Sequence, residues 1–394
     1  MQYPTDSHLE AFQLGPFTAP RLWTGLWQLS STAWGSASAA KIRQGMARHV
    51  SHGYIAFDMV SPFAENHSSL ATDRAIPDAL RADHYGSAEI LFGQFQESLS
   101  PSQKVIGATK WCVFKPTDPS RDIVEAAVRD RMARMRTQSV DLLQFHWQNY
   151  SDNGYMKALR HLQDLQSEGL ITTLGLCNFD AIRTDEICTQ LGPGSIVTNQ
   201  VPVRLLPHTV YPSVIDPSKS HVDEMMLFVL QFSLIDTRVL HGMSDVCEKH
   251  NIKLLTYGSL CGGFLSDAWL DKPEPDPYSG SLTPSQRKYL DVILKVWADW
   301  QLFQTLLSVL RTIGDRHMGA SVANVATRWV LDHPCVGAVL VGTRLGVSEH
   351  PDDNLNVFRF GLSQEDKDDI EAVLDRSNGR RIISLIGDVG AEYR

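Results

Sequence analysis

Eight short apolar runs, spaced by longer stretches of helical periodicity, limit the architectures open to this chain. They lie at 22–29, 54–58, 104–110, 140–146, 172–177, 196–200, 253–257 and 336–341, and none contains a proline. Runs of this length and composition suit strands buried on both faces. Between them, 120–135 carries Ile123, Val124, Ala127, Val128 and Met132 at helical spacing, with Arg and Asp opposite. The stretch 155–168 repeats Met156, Leu159, Leu162 and Leu165, and Gly169 follows as a helix-ending glycine. The stretches 241–250 and 321–332 read likewise. Eight such alternations predict a (β/α)8 TIM barrel. A doubly wound sheet is disfavoured, because no Gly-x-Gly-x-x-Gly follows an early strand.

The 394 residues suffice for one such barrel, and the net charge of −9 comes with no basic tract. Nucleic acid and anionic membranes are therefore not expected as partners. No stretch reaches the ~20 apolar residues of a membrane span, and residues 1–14 lack the pattern of a secretory leader. A cytoplasmic location is expected. The six cysteines form no Cys-x-x-Cys pair and sit at no zinc-ligand spacing, so free buried thiols are expected and no metal. His49 and His52 stand three apart without supporting ligands. The proline-rich stretch 267–283 reads as a surface loop.

Four polar residues follow or close early apolar runs: Asp58, Tyr85, Lys110 and His146. In a parallel barrel, strand ends converge on one rim, where chemistry occurs. Each residue has an ordinary reading. Asp58 could cap a turn, Tyr85 could pack, Lys110 could end a strand in solvent, and His146 could be a satisfied core histidine. As a set they suit carbonyl reduction. A phenol has an unperturbed pKa of about 10, which a neighbouring ammonium lowers. A carboxylate can hold that ammonium, and an imidazole can orient a carbonyl oxygen.

In this order the set resembles the catalytic tetrad of the aldo-keto reductases, and the resemblance runs from about residue 22 to 394. Gly53-Tyr-Ile-Ala-Phe-Asp58, then Tyr85-Gly-Ser-Ala-Glu89 and Gly93, resemble that family's first signature. Asp141-Leu-Leu-Gln-Phe-His146-Trp resembles its histidine strand. The resemblance implies Tyr85 as general acid, supported by Lys110, Asp58 and His146. It implies Asn178 and Gln200 on a nicotinamide carboxamide, Tyr257 stacked on the ring, and Gly258, Ser259 and Leu260 around the pyrophosphate. Cys177 stands where the family often has serine. Arg344 would meet the adenosine 2′-phosphate, with His350, Asp353 and Asn354 near the adenosine end. A histidine at 350 is a weaker anion partner than arginine. NADPH/NADP is the implied coenzyme, with NAD the alternative. The ordinary reading of Arg344 and His350 is that they cap the last helix.

Two stretches, 60–81 and 203–231, depart from the family pattern and follow strands within one expected barrel domain. They read either as lid or specificity loops or as translated introns kept in a gene model. The implied activity is NADPH-dependent reduction of an aldehyde or ketone. Fungal secondary-metabolite reductases resemble this chain, and Trp23, Trp27, Trp111 and Trp147 suggest an aromatic pocket for a bulky substrate. The competing readings are a nucleotide-sensing regulatory protein on the same fold, and a barrel hydrolase or lyase using Asp58.

Overall fold

The computed structural model describes residues 9–30, 35–59, 87–114, 116–203, 230–231 and 233–379. An antiparallel hairpin, β1 (Ala11–Leu14) and β2 (Phe17–Pro20), opens the chain. Eight parallel strands follow: β3 (Leu22–Gly25), β4 (Ala56–Asp58), β5 (Ile106–Val113), β6 (Val140–Trp147), β7 (Ile171–Cys177), β8 (Thr198–Val203), β10 (Lys253–Tyr257) and β11 (Val336–Gly342). A two-residue β9 (Leu230–Gln231) pairs antiparallel with the end of β8. The sheet order is β10-β11-β3-β4-β5-β6-β7-β8, and a β10–β8 pairing closes it. This is the (β/α)8 barrel that the alternation of runs predicts, with all eight expected strands present.

By internal contacts the chain divides into two compact units. One comprises Thr24–Leu174 and Gly342–Glu349. Among its described residues, the α-helices are Ala39–Ser51, Ser87–Glu97, Arg121–Met135 and Gly154–Ser167. Leu26, Ile42, Met46, Phe57, Phe92, Phe95, Met135 and Leu345 share its apolar core. Helix Gly154–Ser167 buries Met156, Leu159, Leu162 and Leu165 as the periodicity predicts. Full burial of each is worth about 1.5–3 kcal/mol. Gly169 then takes a φ of 86°, open to glycine without strain.

The other unit comprises residues up to Trp23, Gly175–Val341 and the chain from His350. Helices Met243–His250 and Val322–Leu331 match expectation, the second capped by the Ser321 side chain. Residues 284–316, given no element above, form helix Pro284–Val292 with a Thr283–Gln286 capping box and helix Trp300–Arg316. The latter buries Leu302, Phe303, Leu306, Leu307, Leu310 and Ile313. Phe264 packs edge to face on Trp300 and Phe303 of this helix and tilted against Trp269.

Candidate active site

In the first unit, β4 ends on Asp58, whose Cα lies opposite Ala108 of β5. Lys110 is two residues beyond Ala108, hence on the same face, and its ladder partner on β6 is Gln144. The three side chains converge. Lys110 Nζ donates to both oxygens of Asp58 at 2.7 Å and to the Met59 carbonyl at 2.9 Å. All three ammonium protons are thus accepted. Gln144 Nε2 donates to Asp58 Oδ1 at 2.9 Å. Asp58 is 7% exposed and Lys110 5%. In a pair this buried, losing one partner costs about 3–5 kcal/mol. Arg131 donates Nε to the Lys110 carbonyl at 2.8 Å, which fastens the strand from behind.

Two expectations need correcting here. Lys110 neither ends its strand nor sits in solvent, because Trp111, Cys112 and Val113 extend the ladder opposite Phe145, His146 and Trp147. Arg131 and Met135 also join Val124 and Val128 on the buried face of helix Arg121–Met135, whereas Ile123 is exposed. Arg131 pays for its burial by bonding the Lys110 and Ala127 carbonyls. His146 is fully buried, with its ring 5.1 Å from that of Phe114. Tyr85 lies outside the described residues, as does 60–81. Of 203–231, only Val203, Leu230 and Gln231 are described. Glu89, four positions after Tyr85, is fully buried and accepts from Thr109 and Arg134. Thr109 precedes Lys110, so the first turn of helix Ser87–Glu97 is tied to the lysine strand.

Neither Gln144 nor Glu89 was singled out as a site residue from sequence. The signal for Gln144 was present: it stands two before His146, on the same strand face.

In the second unit, Asn178 follows β7 with φ 66°, a left-handed conformation that asparagine tolerates. Its amide donates to the Gln200 carbonyl at 2.9 Å, so the two expected carboxamide-binding residues are joined through the backbone. Asn178 is 7% and Gln200 2% exposed. Asn199 braces the turn by donating to the Phe179 carbonyl and Thr184 Oγ1. Tyr257 ends β10 half-buried. Gly258 (φ 68°), Cys261 (φ 51°) and Gly262 (φ 66°) then curl the chain. Within this curl Cys261 N bonds the Gly258 carbonyl and Gly263 N the Leu260 carbonyl, while the Ser259 and Leu260 amides take part in neither bond. Ser259 is 2% exposed, and its buried Oγ has no hydrogen-bond partner among the described residues. Left-handed turns with a buried, unpaired hydroxyl suit a phosphate group. The residues present therefore fit a pyrophosphate-bearing coenzyme.

Arg344 belongs to the first unit and is exposed, and its carbonyl accepts from Val347 N and Ser348 N. His350 precedes helix Pro351–Asn354 but makes no side-chain cap bond, so capping does not explain it. Asp353 accepts from Ser321 Oγ at 3.2 Å and, through its carbonyl, from Asn324 Nδ2 at 3.0 Å. Asn354 N bonds the His350 carbonyl. Among the four tryptophans, Trp23 and Trp147 are core residues, with indole nitrogens donating to the Pro20 and Asn149 carbonyls. Trp111 is nearly buried against Phe145, and Trp27 is half-buried.

The aldo/keto reductase family model matches residues 21–375. The chain belongs to this family. Its class is thereby that of an NAD(P)-dependent oxidoreductase of carbonyl and hydroxyl groups. It is 21% identical over 375 residues to aldo-keto reductase YhdN of Bacillus subtilis (strain 168), covering 91% of each chain. It is 38% identical over 92 residues to flagellar radial spoke protein 5 of Chlamydomonas reinhardtii, 23% of this chain and 17% of that protein's length. A solved aldo-keto reductase of Klebsiella pneumoniae in complex with NADPH superposes with a TM-score of 0.61 at 15% identity, over 93% of this chain and 95% of that one. Among the described residues, no helix is long and apolar enough to cross a membrane.

Proposed function

We propose that this aldo/keto reductase catalyses NADPH-dependent reduction of an aldehyde or ketone to an alcohol. Tyr85 serves as general acid, with Lys110, Asp58 and His146 in support. The observation that carries the reading is the buried Lys110 ammonium, fully bonded by Asp58 and the Met59 carbonyl. An ammonium favours the phenolate of a neighbouring tyrosine and so makes it a better proton donor near neutrality. Asp58 keeps that charge in place, and Gln144 fixes the carboxylate. His146 orients the carbonyl oxygen and bears the negative charge that grows on it. Bound NADPH supplies the hydride. Tyr85 delivers the proton to the oxygen, giving the alcohol. Asn178 and Gln200 would hold the carboxamide, Tyr257 the ring, Gly258, Ser259 and Leu260 the pyrophosphate, and Arg344, with His350, Asp353 and Asn354, the adenosine end. A Klebsiella relative of the same fold binds NADPH, which supports NADP over NAD. The setting is a cytoplasmic one in secondary metabolism.

Oxidation of NADPH with 4-nitrobenzaldehyde tests this. Tyr85→Phe is expected to abolish turnover and to keep quenching of intrinsic fluorescence by NADPH. Wild-type turnover in that variant would refute the acid assignment. The alternative reading is a nucleotide-sensing regulatory protein on the same fold, without turnover. Quenching by NADPH with no activity on any carbonyl in a broad screen would select it.

A further inference from the structure

The strand-to-helix loop that presents Arg344 is clasped from one side by a single carboxylate. Glu349 Oε1 accepts from Gly346 N at 2.6 Å and from Arg48 Nη2 at 2.7 Å. Its side chain is only 9% exposed. Gly45, on the helix opposite, leaves room for it: a Cβ there would lie 2.8 Å from Glu349 Oε1 and 3.1 Å from Leu345 Cδ2. His49, 1% exposed, bonds the Gly45 carbonyl through Nδ1 at 2.9 Å and places that nitrogen 3.8 Å from Glu349 Oε2. Burial holds His49 below the ordinary histidine range, against the opposing pull of its Gly45 bond and Glu349. Arg48 is thus the cation that bonds this carboxylate.

The rest of the loop has little freedom. Leu345 is buried in the core with Ile42 and Met46. Gly346 turns at φ 77° against Ala37. The Arg344 carbonyl is engaged by two amides. Among residues 343–349, the Arg344 and Val347 side chains are the exposed ones.

We propose that Glu349 is a positioning residue for coenzyme selectivity: its carboxylate fastens the Gly342–Glu349 loop to helix Ala39–Ser51 and so fixes where Arg344 meets the phosphate that distinguishes NADP from NAD. The inference rests on the coenzyme reading above. A guanidinium recognises phosphate through a planar fork, and a small shift of its base loses the second bond. The phosphate-free coenzyme makes no such demand, so loosening the loop affects the two unequally.

Dissociation constants for NADP+ and NAD+, read by intrinsic fluorescence quenching, separate the possibilities. Arg344→Ala is expected to weaken NADP+ about 100-fold with little change for NAD+. Glu349→Ala is expected to weaken NADP+ about 10-fold and NAD+ less than about 2-fold. Glu349→Gln, whose amide oxygen still accepts from Gly346, restores most of the loss. If Arg344→Ala is selective but Glu349→Ala weakens both coenzymes equally, or neither, the clasp is structural only and the inference is overturned while the coenzyme reading stands. If Arg344→Ala shows no selectivity, the coenzyme reading at that residue falls and the inference with it. Should Glu349→Ala fail to fold, Arg48→Ala carries the same comparison, with about a 3-fold selective loss expected. An equal effect on both coenzymes there overturns the proposal.

Discussion

Lys110, with three acceptors, and Asp58, which accepts from Lys110 and Gln144, hold one another, and each is costly to remove alone. Lys110→Met leaves Asp58 buried beside Gln144 without its cation. The variant is expected to lose at least about 100-fold in kcat, because the phenol loses the charge that acidifies it. Urea unfolding is expected to show a loss of about 3–5 kcal/mol. A folded Lys110→Met protein reducing aldehyde at the wild-type rate would remove lysine from the mechanism. That a carboxylate at 58 could hold the ammonium at 110 was expected from sequence, because each closed an apolar run. Gln144 was less legible, since a neutral amide within such a run reads as ordinary. Its role appears only when the register sets it opposite Lys110.

Between elements, close approaches and shared carboxylates do the work. Gly93, part of the motif read from sequence, lies where helix Ser87–Glu97 meets the end of helix Arg121–Met135. A Cβ there would sit 2.7 Å from the Arg134 carbonyl oxygen and 2.8 Å from Met135 C. Backbone cannot move aside as a side chain can, so Gly93→Ala is expected to cost about 1–3 kcal/mol, measured by urea melts. Asp141 joins β6 to β5 by accepting from Gly107 N at 2.9 Å. Burial pushes its carboxyl up to about 6, against the lowering effect of that bond. The folded state therefore binds this proton more tightly than the unfolded chain. The resulting stability is present below about pH 4 and is lost as pH rises through about 6. Asp141→Asn keeps an acceptor for Gly107 and has no charge to bury. It is expected to be about 1 kcal/mol more stable than wild type at pH 7.5 and equal to it near pH 4, by melts at the two pH values. The helices at 155–168 and 321–332 were readable from periodicity, whereas the face of Arg121–Met135 was displaced. Arg131 counted as polar in the pattern, yet the strand behind it offered a carbonyl.

At the scale of the whole chain, five of the six cysteines are buried and Cys112 is partly exposed. Burial pushes Cys188 and Cys261 up to about 12 and Cys112 up to about 11, and it also raises Cys247 and Cys335. Thiolate is scarce at every one of these positions. Titration of native protein with a thiol-reactive disulfide at pH 8 is expected to show at most one fast-reacting group, and concentrated guanidinium should release all six. Three or more fast thiols in the native protein would contradict this packing. The barrel itself was written in the sequence. Apolar runs of strand length alternating with amphipathic stretches have few ways to bury both faces, and closure is the solution that leaves no edge. The candidate polar residues were picked out by the same pattern, because each stood beside such a run. Tertiary structure alone decided which polar groups share a proton or a charge. The Asp58–Lys110–Gln144 convergence, the Glu89 tie to Thr109 and the Glu349 clasp each join residues 20 or more positions apart. Strand register and helix approach set such pairings, and neither is local to the residues that meet.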